Sequence, residues 1–200
     1  RCVGRLAFPI FAFFIAEGYA HTRDFGRYFR RMAILAVVSE IPFNLENGAV
    51  FDPARQNVLW TFCLALLTLR GLEALGRKRG FGRWAGCGLV LAAGFGAGEL
   101  LRTDYGGWGV VTVALLYLCR DGRYAKLWLL LAMAAVNGLG MGSLTMPFFG
   151  GKMPIQIFAV AALPMIWLYN GQAGPKGLRR AFYVFYPAHL LVLEGIRTLT

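Results

Sequence analysis

The chain has 200 residues, of which 58% are hydrophobic and 16% charged; its net charge is +11 and its mean hydropathy +0.55. A soluble domain holds roughly 45–50% apolar residues with glycine counted and about 25% charged ones, and a chain this size has too little interior for so many apolar groups. The composition excludes a soluble globular enzyme, a disordered tail and a disulfide scaffold, and it points to an all-α polytopic transmembrane bundle; the basic excess alone leaves nucleic acid open.

A membrane-crossing helix needs about 20 mostly apolar residues. Eight segments are candidates: A (3–19), B (29–46), C (56–75), D (83–101), E (106–119), F (124–143), G (153–169) and H (178–196). E is short and opens on Gly106-Gly107. No run alternates apolar and polar residues, which argues against a β-barrel.

Span A carries Arg5 near one end and Glu17 near the other, with His21 four residues beyond Glu17. That spacing puts both on one helical face, where a carboxylate orients an imidazole for general-base work; the plainer alternative is an exposed His21, with Glu17 paired to Arg23 or Arg27. Span B holds Ser39, Glu40 and Asn44 around Pro42. The proline frees a carbonyl and predicts a kink, and Glu40 either lines a cavity or pairs with Arg5. Span C opens with Arg55, Gln56 and Asn57, and D closes with Glu99, Arg102 and Asp104. Interfacial solvation accounts for most of these; Asn57 is the candidate for a site. The G-L-G-M-G run at 138–142 in F reads as close helix approach. Span H carries Tyr183, Tyr186 and His189 around Pro187. Tyr186 and His189 share a face, as a site pair or as satisfied core residues.

Sorted by connection, fifteen basic residues fall on A/B, C/D, E/F and G/H, and six on the other side. The positive-inside rule puts those four connections in the cytoplasm, with both ends of the chain outside. The basic excess is then topogenic and lipid-facing, with a second role as a grip for a phosphorylated ligand, and nucleic acid drops out as a partner. With no basic n-region before it, span A is not a signal peptide. The cysteines, Cys2, Cys63, Cys87 and Cys119, match no zinc spacing, so no metal is expected.

The stretch G-R-L-A-F-P-I-F-A-F-F-I-A-E-G-Y-A-H-T-R at 4–23, Y-F-R-R-M at 28–32, S-E-I-P-F-N-L at 39–45, N-V-L-W-T-F at 57–62 and F-Y-V-F-Y-P-A-H-L-L at 182–191 together resemble the TraX family. The resemblance covers the chain and is most specific at its two ends. It implies an integral protein of the bacterial inner membrane related to membrane acyltransferases, the namesake being a pilin acetylase. The family usually begins with a helix ending in an Asp-His pair. That helix is not seen before Arg1, and the topology likewise asks for a preceding span, so a single, N-terminally truncated domain is expected.

The resemblance implies acetyl transfer from acetyl-CoA on the cytoplasmic side to a peptide N-terminus, a sugar or another acceptor. His189, Glu17, His21, Arg5, Tyr186 and Glu40 are then the candidate catalytic residues. Arg23, Arg27, Arg30 and Arg31 would grip acyl-CoA, and Asn44 and Asn57 would contact substrate. Because Arg5 and Glu40 lie far from the cytoplasmic side, this arrangement calls for a central tunnel. A small-molecule transporter and a non-catalytic membrane assembly protein are the alternatives.

Overall fold

The computed structural model describes residues 4–49, 52–76, 80–141, 145–148, 151–172 and 176–199. It is mostly helical: α1 (Gly4–Ala20), α2 (Phe25–Glu46), α3 (Val58–Gly76), α4 (Phe81–Leu100), α5 (Gly106–Leu118), α6 (Ala125–Ala135), α7 (Leu163–Trp167) and α8 (Lys176–Leu199). Arg1, Cys2, residues 77–79 and the 142–143 end of span F lie outside the described residues.

Most expected spans coincide with helices to within two or three residues. α2 starts earlier than span B because Asp24 caps it: its Oδ1 accepts from the Arg27 backbone N–H at 2.9 Å. The first turn of α2 is polar, so an apolar scan passes over it. Pro42 does not break α2, which runs on to Glu46, and Pro187 lies within an unbroken α8. α5 begins at Gly106 because the Glu99 carboxylate accepts from the Gly107 N–H at 2.8 Å, satisfying an otherwise orphaned donor. Glu99 thus caps the helix while remaining an exposed residue.

Spans F and G depart from the expectation. α6 gives way at Val136–Gly140 to a π-helical turn, and Thr145–Phe148 pairs antiparallel with Gly151–Pro154 in a hairpin. Span G is then a 3-10 segment, Ile155–Ala162, followed by the five-residue α7. Two causes are visible. Gly140 lies so close to Trp108 that a Cβ there would sit 2.8 Å from the indole, which fits the expected close approach. Pro147 and Pro154 lack the N–H a continuing helix needs.

The helices alternate in direction. At one end Tyr19 donates to Glu73 at 2.5 Å, packs edge-on against Tyr117 at 5.4 Å, and Arg70 lies over Phe25. This end carries the A/B, C/D and E/F connections and is called the basic end below. At the opposite end Phe8 stacks on Tyr105 at 3.6 Å, Gln56 bridges Thr103, and Arg197 donates to the Leu45 carbonyl. α3, α4 and α5 pack together, α1 lies against α5 and the 3-10 segment, and α8 packs on α2. Between the two ends, Ala12, Leu66, Leu69, Val110 and Val113 are each 0% exposed. The axis through α1, α3 and α5 is therefore filled with apolar side chains, and the expected central tunnel does not run there.

One described helix, Val58–Gly76, is long and apolar enough to cross a membrane by itself; Gly106–Leu118, Ala125–Gly138 and Ile155–Trp167 are shorter apolar segments.

Candidate functional site

Polar side chains gather at both ends of the bundle. At the end opposite the basic loops, Asn57 sits just before α3. Its Oδ1 accepts from the Leu59 N–H at 3.0 Å, which starts the helix. Its Nδ2 donates to the Ala36 carbonyl at 2.9 Å and to the Glu40 carboxylate, and Trp60 Nε1 donates to the same carboxylate oxygen at 3.0 Å. Glu40 is thus held by α3. The expected Arg5–Glu40 pair does not form: the Arg5 guanidinium lies within electrostatic reach of Tyr105 and Asp104, and Arg55 also meets Asp104 at 3.6 Å. The surrounding protein pushes the Asp104 carboxyl above the usual range, and Arg55 and Arg5 pull it partly back.

Tyr186 reaches this cluster from α8. It lies within electrostatic reach of Asp104, Glu40 and Tyr105. His189 stays beside it, as their shared face predicts: the two rings lie 5.3 Å apart, while the His189 Nδ1 faces the Phe185 carbonyl at 3.2 Å and its ring also stacks on Phe185. Asn44 is 2% exposed, and its Oδ1 has no hydrogen-bond partner among the described residues; the same holds for Ser39 Oγ and Glu40 Oε1. Arg5, Glu40, Asn57 and Tyr186 thus form one neighbourhood, with Asn44 one turn beyond Glu40 on α2. Sequence reasoning missed Trp60 and Tyr105. Trp60 stands three residues after Asn57, the spacing that puts it on the same face.

At the basic end, His21 Nδ1 lies 3.5 Å from Glu17 Oε2 and 3.0 Å from the Glu17 carbonyl, as the i, i+4 spacing requires. The Glu17 side chain is 13% exposed and that of His21 69%. A neutral His21 that donates from Nδ1 leaves Nε2 free to accept a proton. Both residues line a cavity of about 480 Å³ between α1, the α5–α6 connection and α7, together with Arg120, Lys126, Leu129 and Trp167. Arg23, Arg27, Arg30 and Arg31 are exposed along the start of α2, where Arg27 meets Asp24 at 3.4 Å.

Arg5 and His21 are sixteen positions apart on and just beyond α1, so about 24 Å of helix and the packed core separate the two clusters. They cannot share one reacting atom.

The family described as TraX protein matches residues 1–197. A relative from Dichelobacter nodosus, named "Probable fimbrial assembly protein FimC, serogroup H1", is 29% identical over 204 residues, which cover 96% of this chain and 80% of the relative. No solved structure matches. With nearly its whole length matched, the chain belongs to the TraX family of membrane-associated bacterial proteins.

Proposed function

We propose that this protein is a multi-pass acyltransferase of the bacterial inner membrane that moves an acyl group, acetyl in the simplest case, from acyl-CoA on the cytoplasmic side to a peptide N-terminus, sugar or other acceptor. The observation that carries the reading is the Glu17–His21 pair at the lip of a cavity, on the end of the bundle where the basic connections cluster. Basic loops mark the cytoplasmic side, where acyl-CoA is available.

The membrane setting is supported by the apolar surface. α2 exposes Ile34, Val37, Val38 and Ile41 at 56–60%, and α4, α6 and α8 expose Trp84, Leu89, Trp128, Leu131, Val192 and Ile196. Water would penalise patches of this kind, and lipid removes the penalty. It also lets helices shorter or less apolar than Val58–Gly76 sit in the bilayer beside their neighbours.

In this reading His21 Nε2 takes the proton of the acceptor amine or hydroxyl as that group attacks the thioester carbonyl. Glu17 holds the ring and steadies the imidazolium. Collapse of the tetrahedral adduct breaks the C–S bond, and His21 returns the proton to the departing CoA sulfur. Glu40, Asn57, Tyr186 and Arg5 are too distant to join this step. They tie α2, α3 and α8 at the other end and set the geometry of the bundle.

A second reading, a non-catalytic membrane assembly protein, draws on the fimbrial assembly name of the relative. The packed core through α1, α3 and α5 gives the transporter reading no support. Incubating the purified protein with labelled acetyl-CoA and membrane extract, followed by mass spectrometry of acylated products, separates the two: transfer supports the enzyme, and unchanged acetyl-CoA supports the assembly role.

A further inference from the structure

The cavity at the basic end has a composition that selects a ligand. Phe13, Leu116, Leu129 and Ile166 line it with apolar surface, and Arg120 and Lys126 bring two cations to it beside the carboxylates of Glu17 and Asp121. Lys126 forms no ion pair among the described residues; its ammonium lies 5.8 Å from the centre of the Trp167 ring. Arg120 meets Asp121 at 3.4 Å, but the Asp121 side chain is 84% exposed. Such a pair contributes under about 1 kcal/mol, so Arg120 can turn to a better anion at little cost. Trp167 lines the cavity with its ring, its Nε1 having no accessible surface. A volume of about 480 Å³ falls within the range of small-molecule pockets.

We infer that this cavity binds a phosphate-bearing ligand with a slender apolar arm: Arg120 and Lys126 hold the phosphate, and the apolar wall, with the Trp167 ring, takes the arm. Arginine and lysine together suit a phosphate, the first through a paired fork of donors and the second as a point charge. The chemistry fits both a nucleotide-linked thiol such as CoA and an anionic phospholipid. CoA is the first probe because the transfer reading above places acyl-CoA on this side, and on that choice the inference rests on that reading.

The test measures binding of labelled CoA to the protein in phosphatidylcholine nanodiscs, and phosphatidylglycerol retention by native mass spectrometry. Removing two charge-assisted contacts predicts that the Arg120→Ala, Lys126→Ala double variant binds CoA at least about tenfold more weakly. Pantetheine, which lacks the phosphates, should bind wild type and double variant alike. Lys126→Arg should restore most of the affinity. If instead the double variant keeps CoA affinity and loses phosphatidylglycerol, the phosphate site stands with lipid as its source. A double variant that keeps both ligands, or wild type that binds pantetheine as tightly as CoA, overturns the inference. The two readings fail separately: wild type that binds CoA through these cations yet transfers nothing removes the transfer reading alone, and wild type that transfers acetyl with Arg120 and Lys126 dispensable removes this inference alone.

Discussion

Asn57 holds Glu40 across the α2–α3 interface. One amide nitrogen donates to the Glu40 carboxylate and to the Ala36 carbonyl, while the amide oxygen caps the helix that follows. Asn57 is 0% exposed, so each of these contacts replaces solvent. Asn57→Ala should cost about 1–3 kcal/mol, because it leaves a carboxylate and a backbone N–H short of partners. Thermal unfolding in detergent checks this. Glu40→Gln should cost less, since a side-chain amide can still accept from Trp60. Neither variant should abolish acyl transfer in membranes if the chemistry lies at the other end.

Gly98 is where α4 meets the start of α5. A Cβ there would lie 2.7 Å from the backbone of Gly106 and Gly107, which cannot swing aside as a side chain would. Gly98→Ala should therefore destabilise the bundle by about 1–3 kcal/mol, read as a lower melting temperature in detergent. Gly88, with open space around it, is the matched control and should tolerate alanine.

Much of the fold is legible in the sequence, for physical reasons that differ along the chain. α1, α3, α4 and α5 follow from their apolar runs, of which that of α3 is long enough to cross a membrane by itself. The polar first turn of α2 does not, because its signal is the single cap Asp24. The π turn after α6 escapes for another reason, the long-range contact between Gly140 and Trp108, whereas Pro147 and Pro154 mark the hairpin in the sequence itself. The same divide holds at the sites. Glu17 and His21 are readable from their spacing, since a helix fixes i and i+4. The partner of Glu40 is not, because Arg5 and Asn57 both stand at the right end, and only packing decides between them. Arg120, Lys126 and Trp167 come from two separate segments and meet His21 only in three dimensions.

Asp104 gives a pH test. Surrounding protein raises its folded carboxyl above the usual aspartate range, although the side chain keeps 29% exposure and Arg55 and Arg5 oppose the shift. The folded state therefore holds this proton more tightly than the unfolded one. The stability it contributes is present below the ordinary aspartate range and is lost as pH rises through the raised folded value. Asp104→Asn should flatten that part of the pH–stability curve. Arg55→Ala should move the loss to higher pH, because it removes a cation that lowers the folded value. Melting temperatures from acid to neutral pH check both.

Whether acyl transfer occurs beside His21 is decided by label transfer from acetyl-CoA by wild type and by His21→Asn, measured at equal protein in the same membranes. Wild type should transfer the label and the variant should lose about a hundredfold or more, the range expected when a general base is removed. Equal rates in the two, or no turnover by wild type, would contradict transfer beside His21.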